Sequence, residues 1–438
     1  MKVFDDEDDC YFPSFYNIYI NSSNSLNGIF GSDKESELFH EYLHFWQDIT
    51  TTYGLVNSSR ILNKIKDVYH YIKDSINKGV TNFKLPISGV SREATQINSN
   101  LFTHYLAYKD TEEIPDAELL YEPEEEIVKY TLSDGTIIDV PTWEITTTDL
   151  DKFKFGAHAI MEGICHNLQK EVYGDVETVK KVPYNLSKMI WDFMLPEYKD
   201  NIKAFLELSE FSLMHLMSGH IFIFAIKQIQ AGQLDIYDDF YMTLCKNFTV
   251  GAISEDTTDV FTEFDNKFND LINDIDGTFT SPLYGQFVRW LKRMLDIGHS
   301  YRLQKKSLFA ELLVLKQKTP DERTQWLKNK FNNSGYPPVR NAEGQIFCDV
   351  VKGNYFDYIS RLSSIAMYSA YDCLVNPNFQ GCTLKESCIH LQDQDPSLTL
   401  VDDDCTNQPW EKTIEPNMCP FIAVWKTWGL TNLNFSRE

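Results

Sequence analysis

Basic side chains are scarce in this 438-residue chain: 40 lysines and arginines stand against 64 aspartates and glutamates, a formal net charge of -24. A field of that sign repels phosphate backbones and anionic lipid surfaces, which argues against nucleic acid and membrane as main partners. It suits a neutral or basic protein or peptide, and it also keeps a chain soluble. The opening residues, MKVFDDEDDC, lack the basic and apolar regions of a secretory leader, and no lipidation motif is present. The most apolar stretch, 211–226, is interrupted by Ser212, His215, Ser218 and His220, so it reads as buried helix and not as a membrane span. Together these absences lead to the expectation of a soluble, cytoplasmic protein.

Other absences narrow the chemistry. There is no Walker loop, no Rossmann glycine fingerprint and no Gly-x-Ser-x-Gly elbow, and no internal repeat. Nine cysteines form no Cys-x-x-Cys pair. Five of them, Cys373, Cys382, Cys388, Cys405 and Cys419, crowd the last quarter with His390. They are expected to be buried thiols or the ligands of a second, structural zinc, sooner than disulfides.

What is present is a large apolar and aromatic complement, enough for an extensive core. A strand is expected at 15–20, a helix from Ser32 or Asp33 to about Ile49, and a second helix at 58–76. Between 84 and 148 the pattern is extended, with a β-hairpin of 127–132 and 136–140 around a Ser-Asp-Gly turn. Helices are expected at 150–172, 185–194, 201–231, 259–274, 284–295, 308–317 and 323–331. The turn-rich stretch 332–344 suggests a boundary, dividing a catalytic region (1–331) from a cysteine-rich C-terminal region (332–438). The tryptophans Trp410, Trp425 and Trp428 mark that tail as packed. The class is α+β, predominantly α-helical.

The chemistry centres on His40-Glu41-Tyr42-Leu43-His44. Positions i and i+4 of a helix lie one above the other, so both imidazoles can reach one ion. From composition the pattern is expected roughly 0.02 times in such a chain, which makes coincidence uncommon. Leu38, Phe39, Tyr42, Leu43, Phe45, Trp46 and Ile49 cover one apolar arc, while Glu37, His40, Glu41, His44 and Asp48 share the polar arc. Asp48 reads as a solvated carboxylate. A zinc ion held there lowers the pKa of bound water to about 7, and Glu41 is the neighbouring proton acceptor. A third ligand is needed, and Glu162 is the candidate. It belongs to a stripe of His158, Glu162 and His166 bordering an apolar arc of Ala157, Ile160, Met161, Ile164, Cys165 and Leu168. Gly163 beside it would let another helix or the metal come close.

A His-Glu-x-x-His helix followed by a helix carrying Glu-Gly resembles the gluzincin branch of the zincin metallopeptidases. The resemblance covers about a tenth of the chain. It implies a zincin-like catalytic core with zinc held by His40, His44 and Glu162, Glu41 as general base, and hydrolysis of a peptide bond in a protein or peptide substrate. Where several members of that branch place an aspartate, four residues after the glutamate, this chain has His166, either an alternative ligand or a donor to the oxyanion. Peptides commonly add to an edge strand in such enzymes, here the strand at 15–20. A regulatory protein partner fits a large accessory region. Two other classes compete: a non-catalytic interaction protein, and a diiron carboxylate protein, for which Glu41–His44 supplies one Glu-x-x-His pair and no second is present.

Overall fold

The computed structural model describes residues 10–12, 16–88, 106–107, 118–131, 135–148, 152–174, 181–251, 257–347, 358–394, 401–412 and 419–437. Strands β1 (Cys10–Phe12) and β2 (Asn17–Ile20) precede helices α1 (Glu35–Thr50) and α2 (Thr52–Asn77), then β3 (Asn82–Leu85). Strands β4 (Glu124–Thr131), β5 (Ile137–Thr146) and β6 (Lys152–Phe155) form an antiparallel sheet. The longer helices that follow are α3 (Ala157–Tyr173), α4 (Leu186–Met194), α5 (Ile202–Leu213), α6 (Ser218–Gln230), α7 (Val260–Thr278), α8 (Gly285–Arg302) and α9 (Pro320–Ser334). Strands β7 (Val339–Asn341) and β8 (Ile346–Phe347), helices α10 (Tyr358–Val375) and α11 (Pro420–Thr427), and strand β9 (Asn434–Arg437) complete the named elements. The α+β, predominantly helical class is therefore observed, with the motif helix in the core as in a zincin-like architecture.

Helix α1 is held on every side. Its apolar arc, Leu38, Phe39, Tyr42, Leu43, Phe45, Trp46 and Ile49, is buried, as periodicity demands. At its N-terminus Glu35 is buried, accepting from the Gly31 amide, from Thr324 Oγ1 at 2.7 Å and from Tyr173 at 3.1 Å. A carboxylate there also suits the positive end of the helix dipole. At the C-terminus Arg302 Nε donates to the Thr50 carbonyl at 2.8 Å, and Thr51 caps α2 by accepting from the Gly54 amide. Close approach is possible because Gly298 of α8 has no side chain: a Cβ there would lie 2.2 Å from the Ile49 carbonyl oxygen. Gly163 serves the neighbouring contact, since a Cβ would meet Ser187 Oγ of α4 at 1.9 Å. A helix, not a metal, uses that gap.

Four local expectations change. Residues 152–155 form β6, pairing with β5, so α3 begins at Ala157 and not at Leu150; the alternation Lys-Phe-Lys-Phe is a strand pattern. The 201–231 segment is two helices broken after Leu213. Helix α2 starts at Thr52, six residues early, because Thr51 caps it. The β2 strand is no free edge: β1 pairs antiparallel on one side and β7 parallel on the other. A peptide cannot add to it as the resemblance implied. The acidic runs Asp5–Asp9 and Glu122–Glu126 read as solvated surface; Asp5–Asp9, like the Ser133-Asp134 part of the hairpin turn, lies outside the described residues, whereas Glu124, Glu125 and Glu126 are exposed.

Candidate metal centre

Helices α1 and α3 cross with their polar stripes facing, and all three motif residues are buried, His40, Glu41 and His44 being 6–7% exposed. Their side chains do not look at water. Each imidazole is aimed by a glutamine. His40 Nδ1 donates to Gln169 Oε1 at 3.0 Å, and His44 Nδ1 donates to Gln47 Oε1 at 2.9 Å. Gln47 is itself oriented, because its amide nitrogen donates to the Met161 carbonyl at 2.9 Å and to Cys165 Sγ at 3.3 Å. With a proton on each Nδ1, both Nε2 lone pairs point at one place, 3.2 Å apart.

Two donors of α3 flank this pair. Cys165 Sγ lies 3.5 Å from His44 Nδ1, and His40, His44 and Cys165 form a buried group whose ligand atoms all fall within 4.8 Å of one another. Such a group can hold a metal ion. On the other side Glu162 Oε2 lies 3.3 Å from His40 Nε2 and 3.4 Å from His44 Nε2. The gluzincin resemblance does not hold. The compact group is completed by a cysteine, which the histidine–histidine–glutamate pattern of that branch does not contain. Cys165 had read as part of the apolar arc; it sits three residues after Glu162 and four before Gln169, on the face that meets α1.

Charge in the site is uneven. Burial would depress the His44 pKa, but Cys165 and then Glu162 overcome it and hold it well above the ordinary value. Burial would raise Glu162, yet the charge of His44 and hydrogen bonds from both imidazoles hold it well below the usual carboxylate range. Burial pushes the Cys165 thiol up to about 11. His166 is depressed to about 4, by burial first and the charge of His40 second, and its Nδ1 has no hydrogen-bond partner among the described residues. His158 is lowered by burial.

Asp48 corrects a further expectation. It is fully buried, not solvated, accepting from the Tyr11 hydroxyl at 2.9 Å, and burial pushes its pKa up to about 8. Tyr11 also stacks on His44, with ring centroids 6.4 Å apart, so β1 forms a wall of the site. Tyr184 provides another, its ring 6.3 Å from His40. Neither tyrosine, nor Gln47, nor Gln169, stood out in the sequence. Helical spacing could have flagged the glutamines, at i+3 from His44 and i+7 from Glu162.

His215 and His220 belong elsewhere. His220 stacks on Trp143 and Phe224 and lies 3.7 Å from Glu125. His215 packs on Phe211, and burial depresses its pKa to about 4. A folded-state value below the unfolded value of about 6.5 means that acid favours unfolding through this group. Its contribution is constant above pH 6.5 and erodes as the pH falls towards 4, by about 3 kcal/mol in all. His215→Met should therefore flatten the pH dependence of urea-unfolding stability between pH 4 and 6.5. An unchanged slope would assign it to other groups.

The C-terminal cysteines Cys373, Cys388, Cys405 and Cys419 are buried, and none of them joins a compact three-donor group among the described residues. No helix among those residues is long and apolar enough to cross a membrane. Compared with known proteins, the chain matches no family model, no curated protein and no solved structure.

Proposed function

We propose that this chain is a zinc-dependent hydrolase that cleaves a peptide bond in a protein or peptide substrate. The observation that carries the reading is the convergence of two glutamine-aimed imidazoles, with donors from α3, beside a buried glutamate on the same helix turn. Two third donors are available to the ion, the Cys165 thiol and the Glu162 carboxylate, and the spacing on the carboxylate side matches zinc. At zinc–ligand bonds of about 2.0–2.1 Å, a tetrahedral site separates its ligand atoms by about 3.3 Å. The edges among His40 Nε2, His44 Nε2 and Glu162 Oε2 are 3.2, 3.3 and 3.4 Å. When bound, zinc polarises a carbonyl and acidifies a water molecule.

The chain's own residues supply the remainder. Glu41 accepts the proton of the attacking water and returns it to the leaving amine. His166, kept neutral by burial, is the hydrogen-bonding group for the developing oxyanion. Gln47 and Gln169 keep the imidazoles in the Nε2-presenting tautomer. Apolar packing around α1 limits water to the reacting centre. The substrate is neutral or basic, in keeping with the net charge of -24.

Elemental analysis tests the ligand set. One zinc per chain is expected in the wild type, and at most a tenth of that in His44→Ala. Zinc lost in Glu162→Ala and kept in Cys165→Ala assigns the ion to the Nε2 side; the reverse assigns it to the thiol side. Zinc retained in all three variants overturns the site. A chain that never binds a metal would be a non-catalytic interaction protein.

A further inference from the structure

The C-terminal region holds a second pair of reactive atoms in unusual proximity. Cys405 Sγ and Lys412 Nζ lie 2.9 Å apart, and both residues are buried, at 5% and 9% exposure. The contacts to sulfur from Gln47 to Cys165, at 3.3 Å, and from Ser369 to Cys382, at 3.7 Å, are looser. The lysine is held from the other side by Asp402, whose Oδ1 lies 2.9 Å from Nζ and whose side chain is half exposed. The sulfur is fixed too, because the Cys405 carbonyl accepts from the Cys382 amide at 2.7 Å and Gly381 packs against that backbone. Thiol and amine are thus confined together, with one carboxylate leading to solvent.

We propose that Cys405 and Lys412 form a modification site at which peroxide installs a reversible covalent bridge, cysteine sulfur to lysine nitrogen through one oxygen. Two hydrogen peroxide molecules balance the reaction. The first oxidises the thiol to a sulfenic acid and leaves as water. The second removes two more electrons as the nitrogen–oxygen bond forms. In that step the amine loses one hydrogen, the sulfenic acid loses its hydrogen, and two further waters leave. If the lysine begins as an ammonium, its extra proton passes to Asp402 and then to solvent. Four electrons from a thiol or phosphine reductant reverse the process, returning thiol, amine and water. The bridge would tie the turn at 402–407 to the one at 409–412.

Lysine chemistry makes the test specific, since trypsin cannot cut after a bridged lysine. In the full chain treated with hydrogen peroxide, then denatured and digested, peptides 386–412 and 413–426 should be replaced by one peptide, 386–426. Its mass should exceed that of the unmodified sequence by about 14 Da, one oxygen gained and two hydrogens lost. Reductant before digestion should restore the cut. Lys412→Arg and Cys405→Ser should both abolish the heavier product, while Cys419→Ser should keep it. The proposal is overturned if cleavage after Lys412 persists while Cys405 ends as a sulfinic acid or as a disulfide with Cys382, Cys388 or Cys419. Loss of the product in Cys419→Ser overturns it as well.

Discussion

Glu41→Gln should leave the zinc content at one per chain and lower the hydrolysis of an unfolded protein substrate by about 10²–10⁴-fold, the usual range for removing a general base. Glutamine has the same shape, so the packing of α1 is preserved. Its amide cannot take a proton from water, so only the proton transfer is lost. Folding should not suffer, because a buried carboxylate at 7% exposure is being replaced by a neutral group. The paired measurement separates the roles. Zinc lost together with activity would make Glu41 a ligand, and activity within tenfold of wild type would remove it from the mechanism.

The second large effect concerns stability. Arg302 and Glu210 form an ion pair at 2.7 Å with side chains 2% and 0% exposed. Glu210 also accepts from Ser307 Oγ and from the amides of Leu308 and Phe309, while Arg302 donates to Tyr241 and to the end of α1 at Thr50. Removing one partner strands a buried charge. Arg302→Met should therefore destabilise the chain by about 3–5 kcal/mol and, in a chain of this length, lower Tm by roughly 3–5 °C. Adding Glu210→Leu should recover part of the loss, because the stranded carboxylate is then gone. A shift below about 2 °C for the single variant would show that water reaches Glu210.

The motif helix was legible because its two halves obey different rules. An apolar arc from Leu38 to Ile49 requires burial, and a His-Glu-x-x-His stripe has few other uses. The stripe on α3 was legible for the same reason, and Glu162 does reach both imidazoles. What escaped was decided by tertiary contacts. Asp48 resembles a surface carboxylate until β1 folds over it and Tyr11 donates to it. Cys165 resembles a core residue until α3 is rotated against α1. Gln47 and Gln169 carry no signature alone, since their meaning comes from the imidazole each one faces. The β6 strand was lost to the helix beside it, as four alternating residues are a weak signal next to seventeen periodic ones.

Gln47 has one more consequence. Its carbonyl end holds His44 of its own helix, and its amide end holds Met161 and Cys165 of the other. Ligand geometry is therefore tied to the register of two helices. Sliding α3 along α1 by a fraction of a turn would break the amide contacts, free the glutamine to swing, and release the imidazole from its tautomer. On the proposed function, the affinity of the site for zinc would be a gauge of helix alignment. Mutations far from the centre that tilt α3 would be read out as metal loss before they were seen as unfolding.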